Sequence, residues 1–75
     1  MNWRDHIVVD PSILHGQACF KGTRIPVTVV LDNLAAGVSE DDLRADYPTL
    51  PELAIAAAIA YAAELAKERV LDLPA

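Results

Sequence analysis

Between Phe20 and Val27 the chain reads Phe-Lys-Gly-Thr-Arg-Ile-Pro-Val, a run that forces a change from extended to helical backbone. Gly22 takes a positive φ without steric cost, so a tight turn forms readily there. Pro26 pushes Ile25 into extended backbone and itself leads into a helix. Lys21 and Arg24 therefore project from a stiff turn. Such a turn presents positive charge to a partner and performs no chemistry of its own.

The segments on either side follow two different periods. Upstream, Ile7-Val8-Val9 reads as a short strand closed by Asp10-Pro11-Ser12. Ile13-Leu14 reads as a second extended patch before a His15-Gly16 turn, and Ala18-Cys19-Phe20 with Ile25 flanks the basic turn as a small hairpin. A lone hairpin is marginal in water, so it must pack on helices or pair with a second chain. Downstream, Val27, Val30, Leu31, Leu34 and Ala35 mark an amphipathic helix, with Gly37 as its left-handed terminus. Ser39 caps a second helix whose first turn carries Glu40, Asp41 and Asp42, favourable at the positive end of the helix dipole. Leu43 and Tyr47 share one face of that helix, and Pro48 stops it. Thr49 and Glu52 have the spacing of a capping box for a third helix from Leu50 to Val70.

That third helix is apolar nearly all the way round between Leu53 and Ala63, so it is expected to be buried on more than one side. Leu53, Ala56, Ala57 and Ala60 form one face, Ile55, Ile59 and Ala62 another; one closes the core and the other meets a twin. The pattern gives a single, mainly α domain over residues 1–75, with a β arm and basic turn in 1–26 and a three-helix bundle in 27–75. A chain of 75 residues buries a modest core, yet 53% of this one is hydrophobic and only 5% aromatic. A second copy would bury the surplus, so a homodimer is expected, with Ile7, Val9, Ile55, Ile59 and Ala62 at its interface.

Charge narrows the function. The net charge of −5 argues against a general affinity for nucleic acid. Before Val27, Arg4, Lys21 and Arg24 face Asp5 and Asp10; after it, nine acids face only Arg44, Lys67 and Arg69. The single cysteine, Cys19, excludes an internal disulfide and fits a reducing cytoplasm. Arg4-Asp5-His6 precedes only a short apolar run, unlike a signal peptide, and the Leu53–Ala63 run is too short to span a bilayer. The expected protein is cytoplasmic, with no membrane partner.

His6, His15 and Cys19 match no zinc spacing, so no metal or other cofactor is expected. No nucleophile, base and acid set is suggested; Asp41-Asp42 reads as helix N-terminal charge, and the chain is not expected to be an enzyme. Tyr47 and Tyr61 read as core or interface aromatics, and Trp3 as a residue of a mobile terminal arm that anchors on a dimer. Arg24 has a second, purely structural reading, as a fork tying the turn to a helix carboxylate such as Asp46 or to the second subunit.

Gly16, Lys21-Gly22-Thr23-Arg24-Ile25-Pro26-Val27, Gly37-x-Ser39, Leu43, Tyr47-Pro48, Leu50, Ala57-Ala58 and Tyr61 fall in one characteristic order. In that order the chain, from Ile7 to Tyr61, resembles the bacterial and archaeal domain of unknown function 433 family. The departures are Gln17-Ala18, where the family usually has a basic residue and proline, and Phe20, where it has a smaller aliphatic residue. The resemblance implies a homeodomain-like, helix-turn-helix domain with a small N-terminal β element. It also implies an antitoxin: members resemble partners of small PIN-like ribonuclease toxins and the toxin-binding region of some VapB-type antitoxins. On that reading the chain neutralises a PIN-like toxin in a stoichiometric complex, with Lys21, Gly22, Thr23 and Arg24 as partner-binding residues. The alternative is a helix-turn-helix transcriptional regulator bound to operator DNA, alone or together with the toxin. Against independent DNA binding, the recognition helix would open with Leu50-Pro51-Glu52-Leu53-Ala54, which offers no side chain that reads base edges. A third reading is a dimerisation module without a toxin.

Overall fold

The computed structural model describes residues 1–68. Ile7–Val8 (β1) pairs antiparallel with Cys19–Phe20 (β2), Ile7 opposite Phe20 and Val8 opposite Cys19. The strand ends before Val9 because the Asp10 carboxylate accepts the Ser12 backbone N–H at 2.9 Å and its hydroxyl at 2.7 Å, closing a turn. Ile13-Leu14 is not a second extended patch. Leu14–Gly16 is a single tight turn in which Leu14 (φ 50), His15 (φ 57) and Gly16 (φ 82) are all left-handed. The chain has to reverse between β1 and β2, and this turn accomplishes it at on the order of 1–2 kcal/mol for each non-glycine residue.

Val27–Ala35 (α1) starts where Pro26 fixes φ at −65, and the Val27 N–H donates to the Ala18 carbonyl at 2.9 Å, locking the first turn against β2. Its end is a Schellman motif: Gly37, at φ 85, donates to Leu34, while Val38 donates to Asn33, both at 3.0 Å. Glu40–Asp46 (α2) begins as the sequence predicts, with Ser39 Oγ accepting the Asp42 N–H at 3.1 Å. Ser39→Ala should therefore cost about 1 kcal/mol, read as a lower urea midpoint, and Ser39→Asp should retain most of that stability.

The third helix starts later than its capping-box spacing suggests, running over Ala54–Glu68 (α3). Leu50 is buried at 7% exposure, which draws the preceding chain inward. Ala54 donates to the Pro51 carbonyl in a separate turn, and the Arg44 guanidinium donates to the carbonyls of Pro51 and Glu52. Thr49 and Glu52 thus lie in a loop held by Arg44, ahead of the helix they were expected to cap. The expected C-terminus at Val70 lies outside the described residues.

Ile7, Phe20, Val27, Val30, Leu43, Leu50, Ala54, Ile55, Ala57 and Ala58 form one core cluster, against which Trp3, Leu31, Leu34, Tyr47 and Tyr61 pack. The result is a mainly α domain of three helices with a two-stranded antiparallel sheet near its N-terminus, as the pattern predicts. The faces of α3 need correcting, however. Its buried stripe is Ala54, Ile55, Ala57 and Ala58, whereas Leu53 and Ala56, expected beside Ala57, are exposed. Alanine at those buried sites lets α3 lie close against α1.

Trp3 is not in a free arm. Trp3–Asp5 forms a turn capped by the Asn2 side chain, and the Trp3 ring stands edge-on to Tyr61 of α3 at 4.9 Å and 82°. This contact fastens the N-terminus to a helix some sixty residues away in sequence.

Candidate partner-binding surface

The basic turn is held from both of its ends. Lys21 N–H donates to the His6 carbonyl at 2.9 Å, and Phe20 N–H to the Ile25 carbonyl at 3.2 Å. Thr23 braces the middle: its N–H and its hydroxyl both donate to the Phe20 carbonyl, at 3.1 and 2.9 Å, and its Oγ1 accepts the Ile25 N–H at 3.1 Å. Gly22 sits at φ 77, where a side chain would be strained although the surrounding space is open. Beneath the turn, Phe20 is fully buried. A turn with this many internal bonds fixes the backbone from which its two cationic side chains project.

Lys21 and Arg24 are both exposed, and among the described residues neither forms an ion pair or a side-chain hydrogen bond. The tie from Arg24 to Asp46 that the structural reading required is not formed. The other described arginines are engaged. Arg4 lies over the Trp3 ring at 4.4 Å and pairs with Glu64 at 3.1 Å, while Arg44 pairs with Glu40 at 3.5 Å besides holding the loop before α3. The positive charge left free on the N-terminal half is thus concentrated in the basic turn. Arg69 lies outside the described residues.

Sequence reasoning missed the cluster of Trp3, Arg4, Tyr61 and Glu64, since no local spacing links residues so far apart. There the Trp3 indole N–H donates to the Glu64 carboxylate. That bond first, and the Arg4 guanidinium second, hold the Glu64 carboxyl below the ordinary glutamate range. A depressed folded value means that the contact is complete above the unfolded pKa and is lost as the pH falls through the folded one. Acidification below about pH 4 should therefore loosen the N-terminus. Trp3 is the only tryptophan, so its emission reports this directly. The acid-induced red shift should disappear in Glu64→Gln.

The five residues expected at a dimer seam are divided by the fold. Ile7 and Ile55 are 4% and 7% exposed and serve the chain's own core. Val9 and Ile59 are 56% and 53% exposed, and Ala62 is half-buried. His6, His15 and Cys19 are not gathered: among the described residues no three side chains of ligand type lie close enough to hold a metal ion. No described helix is long and apolar enough to cross a membrane. Lys21, Gly22, Thr23 and Arg24 are the predicted site residues that the fold does bring into one ordered feature.

A family model described as a protein of unknown function, DUF433, matches residues 7–62, which takes in both strands, the basic turn and most of α3. No curated protein and no solved structure matches the chain.

Proposed function

The chain belongs to the DUF433 family, and from that premise we propose that it is an antitoxin-like binding module of the cytoplasm, not an enzyme, which neutralises a small PIN-like ribonuclease stoichiometrically. The observation that carries this reading is the pair of free cations, Lys21 and Arg24, on a turn fixed by its own hydrogen bonds. PIN-type ribonucleases hold metal in a cluster of carboxylates. A guanidinium entering that cluster forms bidentate, charge-assisted bonds and substitutes for the charge of the metal. A preformed turn loses little conformational freedom on docking, so more of the contact energy appears as affinity.

A helix-turn-helix regulator is the second reading, and the succession of three helices favours it. Its cation supply is poor, because Arg4 and Arg44 are paired within the chain and the approach to α3 carries Glu52. Operator binding fits better as a property of the complex with toxin, which could bring further cations. Titrating a small PIN-like ribonuclease, should one be encoded beside this chain, with the purified protein tests the first reading. RNA cleavage should fall linearly to a sharp end point at a fixed molar ratio. Undiminished cleavage at excess protein would refute it.

A further inference from the structure

We propose that the outward face of α3 is the seam of a homodimer in which two copies of the helix pack antiparallel about a two-fold axis passing between Ile59 and Ala60. The inference stands apart from the toxin reading, because the face lies on α3 and not on the basic turn.

Ile59 and Leu53 are 53% and 47% exposed, and with exposed Ala56 and Ala63 and half-buried Ala60 they cover one side of the helix. The exposed face of α2 carries Glu40, Asp41 and Asp42 in the same kind of position. The side of α3 facing away from the core is therefore apolar where a solvated helix is ordinarily charged. Two charges bracket it, Glu52 just ahead of the helix and Lys67 in its last turn. Both are exposed, and among the described residues neither forms an ion pair.

These charges identify the occupant. Counted along the chain, Glu52 and Lys67 lie equally far from the Ile59–Ala60 midpoint, as do Ala56 and Ala63. A second copy running antiparallel thus brings Glu52, just ahead of the helix, toward the partner's Lys67 at each end of the seam. It also seats Ile59 against the small side chains of Ala56, Ala60 and Ala63 of the other copy. A parallel copy would oppose like charges. Beside this face runs a groove of about 630 Å³, lined by Ala60, Ala63 and Trp3 together with the charged Arg4, Glu64 and Lys67. The antiparallel register brings the partner's Leu53 to the Lys67 end of that groove, where it gains cover. A seam made by one helix per copy is at the small end of specific interfaces, so dissociation is expected on the order of micromolar.

Sedimentation equilibrium of the full chain over the micromolar range should give a reversible dimer. Ile59→Glu should leave a monomer with unchanged far-ultraviolet circular dichroism, since Ile59 is not part of the core. Lys67→Glu or Glu52→Lys alone should weaken the dimer about tenfold or more, and the double reversal should restore it. If the two charges only complement the helix dipole, the double variant would be worse than either single one. A monomer at every concentration, a dimer indifferent to Ile59→Glu, or a double reversal no better than its parents would each overturn the proposal.

Discussion

Phe20→Ala should destabilise the domain by about 3–5 kcal/mol, the range for truncating a buried aromatic side chain. A chain of this length has roughly 4–11 kcal/mol of total stability, so this one change removes a large share of it. Phe20 is fully buried, stands opposite Ile7 in the sheet, and belongs to a core in which three of the ten clustered residues are alanine. Few large side chains remain to collapse into the space left behind. The Phe20 carbonyl also accepts both Thr23 bonds, so backbone shifts around the cavity would reach the basic turn directly. Urea denaturation followed by circular dichroism measures the loss. A cost below about 1 kcal/mol would show that the core does not depend on this residue.

The second large effect is on binding, with little on stability. Arg24→Ala should weaken inhibition of the ribonuclease about thirtyfold or more, corresponding to the 2 kcal/mol or greater cost of truncating one member of a buried interfacial charge pair. The double reversal Lys21→Glu with Arg24→Glu should abolish inhibition, because the turn would then present acids to a carboxylate cluster. Both variants should unfold within about 0.5 kcal/mol of the wild type, since neither side chain has a partner among the described residues. Inhibition that survives the double reversal would place the contact elsewhere. Unfolding of Arg24→Ala would restore the structural reading of that arginine.

Much of this architecture was legible because its signals are local. Pro26 and Gly37 bound α1, and the Ser39 cap starts α2, each acting through bonds to residues within a few positions along the chain. The start of α3 was misread for the opposite reason: Arg44, on another element, holds the carbonyls of Pro51 and Glu52, which no spacing around Thr49 reveals. The left-handed turn at Leu14 and His15 was hidden because leucine rarely adopts positive φ and the enrichment of histidine there is too weak a signal by itself; the demand for it comes from pairing β1 with β2. The faces of α3 were ambiguous because the helix is apolar on nearly every side, so periodicity alone did not say which stripe meets α1. The basic turn could be read as a feature of the sequence, whereas the freedom of its cations is a property of the fold. It follows from Arg4 and Arg44 being paired elsewhere and from Arg24 forming no ion pair with Asp46.

The most direct measurement is purification of the tagged full chain from its native host, with its neighbouring genes intact, alongside the Lys21→Glu, Arg24→Glu variant. Recovery of a small PIN-like protein in fixed ratio with the wild type, and its loss from the folded variant, is the expected result. Recovery of the wild-type chain without any such protein would contradict the antitoxin-like reading.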